Sequence, residues 1–141
     1  MRYVLDTSVA FKWVVGELHA DKAIRLREDF RQGIYDLLAP DIFPAELANA
    51  LLIAERRGRI SAGQFPVFLA DVLTTPPQLW PTISLLPRTS AIVSGIRISI
   101  YDCLYVVLAE QEKCQFVTAD DRLVRGLQPQ YPFVVPLASL P

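Results

Sequence analysis

The chain has 141 residues, of which 52% are hydrophobic, and its 14 Lys and Arg nearly balance its 15 Asp and Glu. This length fits a single domain spanning residues 1–141, with a core that needs no disulfide or metal to fold. The net charge of -1 excludes a protein drawn to nucleic acid by a strongly basic overall field, and the single histidine excludes multi-histidine zinc sites.

Short apolar strands alternate with helices along the chain, which predicts an α/β domain with a short parallel sheet. The apolar runs are shorter than a membrane span, and Asp6 and Lys12 interrupt any signal-peptide core, so we expect a cytoplasmic protein with no membrane partner. In chain order we predict strand 2–5, helices 7–15 and 20–31, strand 36–39, helices 45–57 and 61–73, strand 78–83, helices 84–97 and 99–110, strand 115–118, helix 119–125 and strand 133–135.

The apolar helix over residues 99–110 carries one carboxylate, Asp102, close to its start. A buried carboxylate must be paired, hydrogen-bonded or bound to a metal. Ser99 and Asp102 fit a capping box, in which the hydroxyl accepts one backbone amide bond and the carboxylate reaches back to another; Thr118 and Asp121 repeat this spacing. Taken alone, Asp102 is therefore better explained as a helix cap than as a catalytic group.

Four acids recur in one setting, because Asp6, Glu46, Asp102 and Asp120 each fall in the first turn of a predicted helix. Asp6 and Asp120 also directly follow predicted strands. The carboxyl ends of parallel strands and the amino ends of the following helices lie along one edge of a sheet, where such folds bind ligands. We therefore expect these acids, which are distant in sequence, to converge.

Four converging carboxylates require compensation. At about 6 Å and an effective dielectric near 20, each pair repels by roughly 3 kcal/mol, and six pairs total on the order of 15 kcal/mol. Helix dipoles contribute only about 0.3 to 1 kcal/mol each, so the site must protonate or hold a divalent cation. Ligation by oxygen alone favours Mg²⁺ or Mn²⁺, ions that activate water for phosphodiester hydrolysis.

Four segments surround these acids: LDTSV at Asp6, PAELANAL at Glu46, SIYDCLYVVLAE at Asp102 and FVTADDRL at Asp120. In this order they resemble the successive motifs of the PIN-domain family, in particular its VapC-type toxin ribonucleases. The resemblance implies a three-layer fold with about four or five parallel strands between helices. It also implies Mg²⁺- or Mn²⁺-dependent cleavage of RNA, a homodimer and inhibition by a cognate antitoxin protein.

The resemblance implies a role for each acid. Asp6, Asp102 and Asp120 would hold the ion directly or through water, and Glu46 would complete the pocket and orient the attacking water. Ser8 and Thr118 would be polar helpers near the metal, and Asp121 could replace or assist its neighbour Asp120. Basic residues close to the motifs are either phosphate contacts or solvated surface charges: Lys12, Arg97, Arg122 and Arg125.

Two other functions fit parts of the sequence. A haloacid-dehalogenase-type phosphatase would use Asp6 as a nucleophile, but such enzymes typically carry a second Asp two residues later, where this chain has Ser8. A non-catalytic PIN-like binding module would use the acids only as helix caps. Specific uptake of Mn²⁺ would separate the enzyme from the binding module.

Overall fold

The computed structural model describes residues 1–141 and contains one sheet of five parallel strands, in the order β3-β2-β1-β4-β5. Helices flank this sheet in a three-layer α/β sandwich, which confirms the predicted fold class. The strands are β1 (Arg2–Leu5), β2 (Asp36–Pro40), β3 (Gln78–Trp80), β4 (Gln115–Thr118) and β5 (Val134–Pro136). The helices are α1 (Thr7–Phe11), α2 (Ala20–Arg31), α3 (Phe43–Arg56), α4 (Gln64–Val72), α5 (Thr82–Ile92), α6 (Ile100–Glu112) and α7 (Asp121–Leu127).

The strand order reverses beside β1. Val4 of β1 is in register with Leu38 of β2 on one side and with Phe116 of β4 on the other. The chain first builds outward through β2 and β3 and then crosses to the opposite side for β4 and β5. The carboxyl ends of β1 and β4 therefore border the crevice at which open parallel sheets bind ligands.

Helix α6 lies at the centre of the hydrophobic core, where it contacts β1, β2 and β4. Its residues from Cys103 to Ala109 are all buried. This explains why its sequence is apolar on all sides, because a helix covered all round needs no polar face. Trp13 also belongs to the core, with 6% of its surface exposed.

No single helix meets the length and hydropathy of a membrane span. Helix α5, with the 3-10 turn that follows it, and α6 reach those values only as a pair bent by 116°.

Several predicted boundaries were wrong, and proline and glycine explain two of them. The strand predicted over 78–83 ends at Trp80, because Pro81 has no N–H for the ladder and instead precedes α5. The helix predicted from Ser61 begins at Gln64, because Gly63 adopts a left-handed conformation with φ 88°. The helix predicted over 7–15 is α-helical only to Phe11 and continues as tight turns.

Candidate active site

Asp6 lies where β1 ends and α1 begins, and only 7% of its surface is exposed. Its backbone N–H donates to the Val117 carbonyl of β4 at 3.1 Å, so the residue bridges the two central strands. Its carboxylate makes no cap hydrogen bond to α1. Instead, Oδ2 accepts hydrogen bonds from Ser8 Oγ at 2.7 Å and from Thr118 Oγ1 at 2.6 Å.

The same two hydroxyl oxygens also accept backbone hydrogen bonds. Ser8 Oγ accepts from the Ala119 N–H at 2.9 Å, and Thr118 Oγ1 accepts from the Asp120 N–H at 3.1 Å. Each hydroxyl is thereby oriented with its proton toward Asp6. Ser8 and Thr118, which the sequence connects to the site only through the family resemblance, thus fix the direction of the Asp6 carboxylate.

Asp120 is the N-cap of α7, and its Oδ1 accepts from the Arg122 N–H at 3.0 Å and the Leu123 N–H at 3.3 Å. The predicted capping box of Thr118 and Asp121 is therefore wrong. Thr118 is the last residue of β4, its Oγ1 accepts from the Asp120 N–H, and Asp120 itself takes the N-cap position. Asp121 is exposed in the first turn of α7.

Asp102 and Glu46 enter the site from the first turns of α6 and α3. The Asp102 N–H donates to Ser99 Oγ at 3.1 Å, which is one half of the predicted capping box; the carboxylate makes no return bond to the Ser99 backbone. Asp102 is therefore held in place by the cap, while its own carboxylate remains available.

Tyr105 is a site residue that sequence reasoning missed. Its hydroxyl donates to Glu46 Oε1 at 2.7 Å, and its ring stacks on Phe116 with centroids 5.5 Å apart. The available signal was spacing, because a residue three positions after Asp102 lies on the same face of α6. Tyr105 thus connects the α6 side of the site to Glu46 on α3.

The pKa values of three of these acids show that they form one electrostatic group. Burial, together with the charges of Asp6 and Asp120, raises the pKa of Asp102 to about 6, against the lowering effect of the Ser99 hydroxyl. Burial also raises the pKa of Glu46, with smaller contributions from Asp6 and Asp102, although the Tyr105 hydrogen bond opposes this. The pKa of Asp6 is raised by burial and by Asp120, against the lowering effect of its two hydroxyl donors.

The structure therefore brings together Asp6, Glu46, Asp102 and Asp120. It also distinguishes Asp120 from Asp121, because the charge of Asp120, and not that of Asp121, raises the pKa values of Asp6 and Asp102. None of the four converging acids forms an ion pair with Lys, Arg or His. Their negative charge is therefore not neutralised by an ion pair within the chain.

The donor set fits a hydrated divalent cation. All candidate ligands are carboxylate oxygens, the class that Mg²⁺ and Mn²⁺ prefer. No three His, Cys, Asp or Glu side chains are arranged to hold a metal ion by themselves. A hydrated Mg²⁺ ion would need only one or two of the carboxylates as direct ligands and would reach the others through its waters.

The predicted phosphate-binding residues differ in their surroundings. Lys12 lines a groove of about 490 Å³ that also includes Ser8 and Asp120, so it lies beside the acids. Arg97, Arg122 and Arg125 are exposed and form no side-chain hydrogen bonds or ion pairs. A different arginine, Arg59, lines the groove together with Lys12.

Comparisons with known proteins agree with this geometry. The PIN domain family model matches residues 3–126. VapC ribonuclease Mb0985 of Mycobacterium bovis and Ribonuclease VapC9 of Mycobacterium tuberculosis are each 32% identical over 132 residues, covering 94% of this chain and 96% of the relative.

Two solved structures are similar in fold. PAE2754 from Pyrobaculum aerophilum matches with a TM-score of 0.65 and 25% identity, over 99% of this chain and 94% of that one. VapBC2 from Rickettsia felis, bound to a DNA fragment from their promoter, matches with a TM-score of 0.63 and 18% identity, over 96% and 97% of the two chains. The family match sets aside the haloacid-dehalogenase alternative. With the motifs, the sheet order and these relatives in agreement, the chain belongs to the PIN-domain family, in its VapC-type branch.

Proposed function

We propose that this chain is the toxin of a VapBC-type pair, an endoribonuclease that hydrolyses RNA phosphodiester bonds with Mg²⁺ or Mn²⁺. One observation carries the proposal. Four carboxylates meet at the strand-order reversal, the pKa values of Asp6, Glu46 and Asp102 are raised there, and none of the four acids forms an ion pair within the chain. The two relatives that are 32% identical are named as ribonucleases, which supports the same activity.

We assign Asp6, Asp102 and Asp120 to the divalent ion, either directly or through water. When bound, the ion lowers the pKa of a water molecule and stabilises the negative charge that develops on the phosphate. Asp120 has one oxygen engaged in capping α7, which leaves Oδ2 for this role. Asp6 has Oδ2 engaged by two hydroxyls, which leaves Oδ1.

Glu46 is assigned to the orientation of the attacking water. Tyr105 donates to Glu46 Oε1, which leaves Oε2 to accept a proton from that water. The raised pKa of Glu46 makes its carboxylate a stronger base than an ordinary glutamate, which suits this role. Ser8 and Thr118 position Asp6, and Tyr105 positions Glu46.

The partners follow from the same assignment. We infer an RNA substrate, a cognate antitoxin protein and a homodimer, as the family resemblance implies. The structural neighbour from Rickettsia felis is itself a VapBC2 assembly.

Cleavage of defined RNAs by the purified protein tests the proposal, with Mg²⁺ or Mn²⁺ and with a chelator. We expect cleavage only with the divalent ion, and its loss in Asp102→Asn, while thermal unfolding shows that this variant still folds. The Ser99 hydroxyl still accepts the backbone N–H of residue 102 in that variant, so the cap persists. Wild-type specific activity in Asp102→Asn would refute the assignment.

The non-catalytic binding module remains the second candidate, since Asp120 does cap a helix. Calorimetric titration with Mn²⁺ separates the two. A module whose acids serve only as caps takes up no specific metal, and its properties are unchanged in Glu46→Gln.

A further inference from the structure

The groove beside the acids contains an ion-pair arrangement that the catalytic assignment does not use. Glu17 bridges two cations: its Oε1 lies 3.4 Å from Lys12 Nζ, and its Oε2 contacts Arg59 Nη2. All three side chains line the groove that also contains Ser8 and Asp120. One carboxylate thus faces two cations at the border of the acidic site.

Each cation is held in place. The guanidinium of Arg59 lies 5.4 Å from the centre of the Phe11 ring, a cation-π contact that orients it toward the groove. The Lys12 side chain is 13% exposed, so its ammonium group is largely withdrawn from water. The three groups together carry one net positive charge, next to a site whose own charge is negative.

Apart from Thr7, the remaining side chains that line the groove are apolar. Ala50 and Ile53 of α3 line it, and Ile53 is 37% exposed. An apolar strip beside two cations matches a nucleotide, which presents a flat base or sugar next to a phosphate. Arginine is suited to the phosphate because its planar fork can donate two parallel hydrogen bonds.

We propose that this groove binds the RNA backbone next to the cleaved bond, with Arg59 as the phosphate-binding residue and Glu17 as a resident anion that the phosphate displaces. The inference rests on the proposed ribonuclease function and adds a substrate subsite to it. Arg59 binds substrate without taking part in the bond-breaking step. Lys12, already predicted to contact phosphate, shares the subsite.

The test measures RNA binding in the absence of cleavage. A short fluorescein-labelled single-stranded RNA of mixed sequence is titrated with the protein in chelator, and binding is followed by fluorescence anisotropy at several salt concentrations. Three variants are compared with the wild type: Arg59→Gln, Arg59→Lys and Glu17→Gln. Arg57→Gln is the matched control, because it removes the same charge from the same segment. Arg57 is exposed and lies outside the groove.

We expect Arg59→Gln to weaken RNA binding by about tenfold, the size of one lost charge-assisted contact. The slope of log affinity against log salt should fall by about 0.7, as for one phosphate contact with a single strand. Arg59→Lys should recover part of the affinity. Glu17→Gln should tighten binding by several-fold, because it removes the competing anion, and Arg57→Gln should match the wild type.

Cleavage kinetics add an independent measurement. With the divalent ion, Arg59→Gln should raise KM by about tenfold with kcat nearly unchanged, the pattern of a residue that binds substrate and transition state equally. Thermal unfolding of each variant confirms that the loss of the Phe11 contact has not unfolded the protein.

The outcomes separate the two proposals. Wild-type cleavage of RNA together with equal binding by Arg59→Gln and Arg57→Gln overturns the subsite and leaves the ribonuclease intact. Weaker binding by Glu17→Gln overturns the displacement, because it shows that Glu17 positions Arg59. Failure of the wild type both to bind and to cleave RNA overturns the ribonuclease assignment itself.

Discussion

Arg27 and Asp6 are charged residues buried to nearly the same degree, with 6% and 7% of their surfaces exposed. Arg27 joins α2 to the end of α4. Its Nη2 donates to the Asp71 carbonyl at 2.7 Å and to Asp71 Oδ1 at 3.0 Å, and its Nε donates to Thr75 Oγ1 at 3.1 Å. Its guanidinium also lies 4.8 Å from the centre of the Trp13 ring.

Asp6 has hydroxyl donors but no cation. Its charged neighbours, Asp120, Asp102 and Glu46, all repel it, and its pKa is raised. At Arg27 the fold supplies the opposite charge, and at Asp6 it supplies more of the same charge. A buried carboxylate without an ion-pair partner must be protonated or bind a cation, so we interpret Arg27 as a structural clamp and Asp6 as part of the proposed metal site.

The sharpest test of this comparison is the pair Asp120→Asn and Asp121→Asn. We expect Asp120→Asn to lower RNA cleavage by about 100-fold or more, the loss typical of a disturbed metal site, and to leave α7 intact because Asn caps helices as well as Asp. Asp121→Asn should change cleavage by less than about twofold. Equal losses in single-turnover assays of both variants would contradict the separation of the two acids.

For Arg27 we expect the opposite result, a loss of stability without a loss of activity. Arg27→Ala should lower the free energy of unfolding by about 2 to 4 kcal/mol, because it removes several buried hydrogen bonds and the packing against Trp13. Denaturant unfolding measures the loss, and the specific activity of the folded fraction should equal that of the wild type. Exposed Arg25→Ala on the same helix is the control. A large loss of specific activity without a loss of stability would place Arg27 in the active site.

The metal should stabilise the acidic site in a pH-dependent manner. A carboxyl group whose pKa is higher in the folded state than in the unfolded state stabilises the fold while it is protonated. This contribution is complete below the unfolded-state pKa, about 4, and is lost as the pH rises through the folded-state pKa, which is about 6 for Asp102. Mn²⁺ binds the ionised form, so it should restore that stability above pH 6. At about 100 times its dissociation constant it adds roughly 2.7 kcal/mol.

Thermal unfolding with Mn²⁺ and with chelator, at about pH 5 and about pH 7.5, measures this effect. We expect a rise in Tm of roughly 5 to 10 °C at the higher pH and a much smaller rise at the lower pH. Asp102→Asn should show a reduced rise at both. An equal rise at the two pH values, or in the variant, would show that Mn²⁺ binds elsewhere.

Tyr105→Phe should have the smallest effect. It removes one hydrogen bond to Glu46, which costs about 0.5 to 1.5 kcal/mol of stability and keeps the ring against Phe116. Since this bond lowers the pKa of Glu46, its loss should move the acid limb of the pH-activity profile to higher pH. An unchanged acid limb would indicate that Glu46 does not control the rate.

The sequence by itself predicted the alternation of strands and helices and identified the four acids as site candidates, because both depend on local periodicity and motif spacing. The strand 2–5, which Asp6 follows directly, and the strand 115–118, which precedes Asp120, were both predicted with the correct bounds. The PIN-type fold class followed from the resemblance of the four motifs to those of the PIN-domain family.

Tertiary structure decided what each acid contacts. The sequence predicted that Thr118 and Asp121 form a capping box, but the pairing of β1 with β4 places the Thr118 hydroxyl on Asp6 and leaves the cap to Asp120. The contacts of Tyr105 with Glu46, and of Glu17 with Arg59, join residues 59 and 42 positions apart. Such contacts depend on packing between elements, and local pattern carries no information about them.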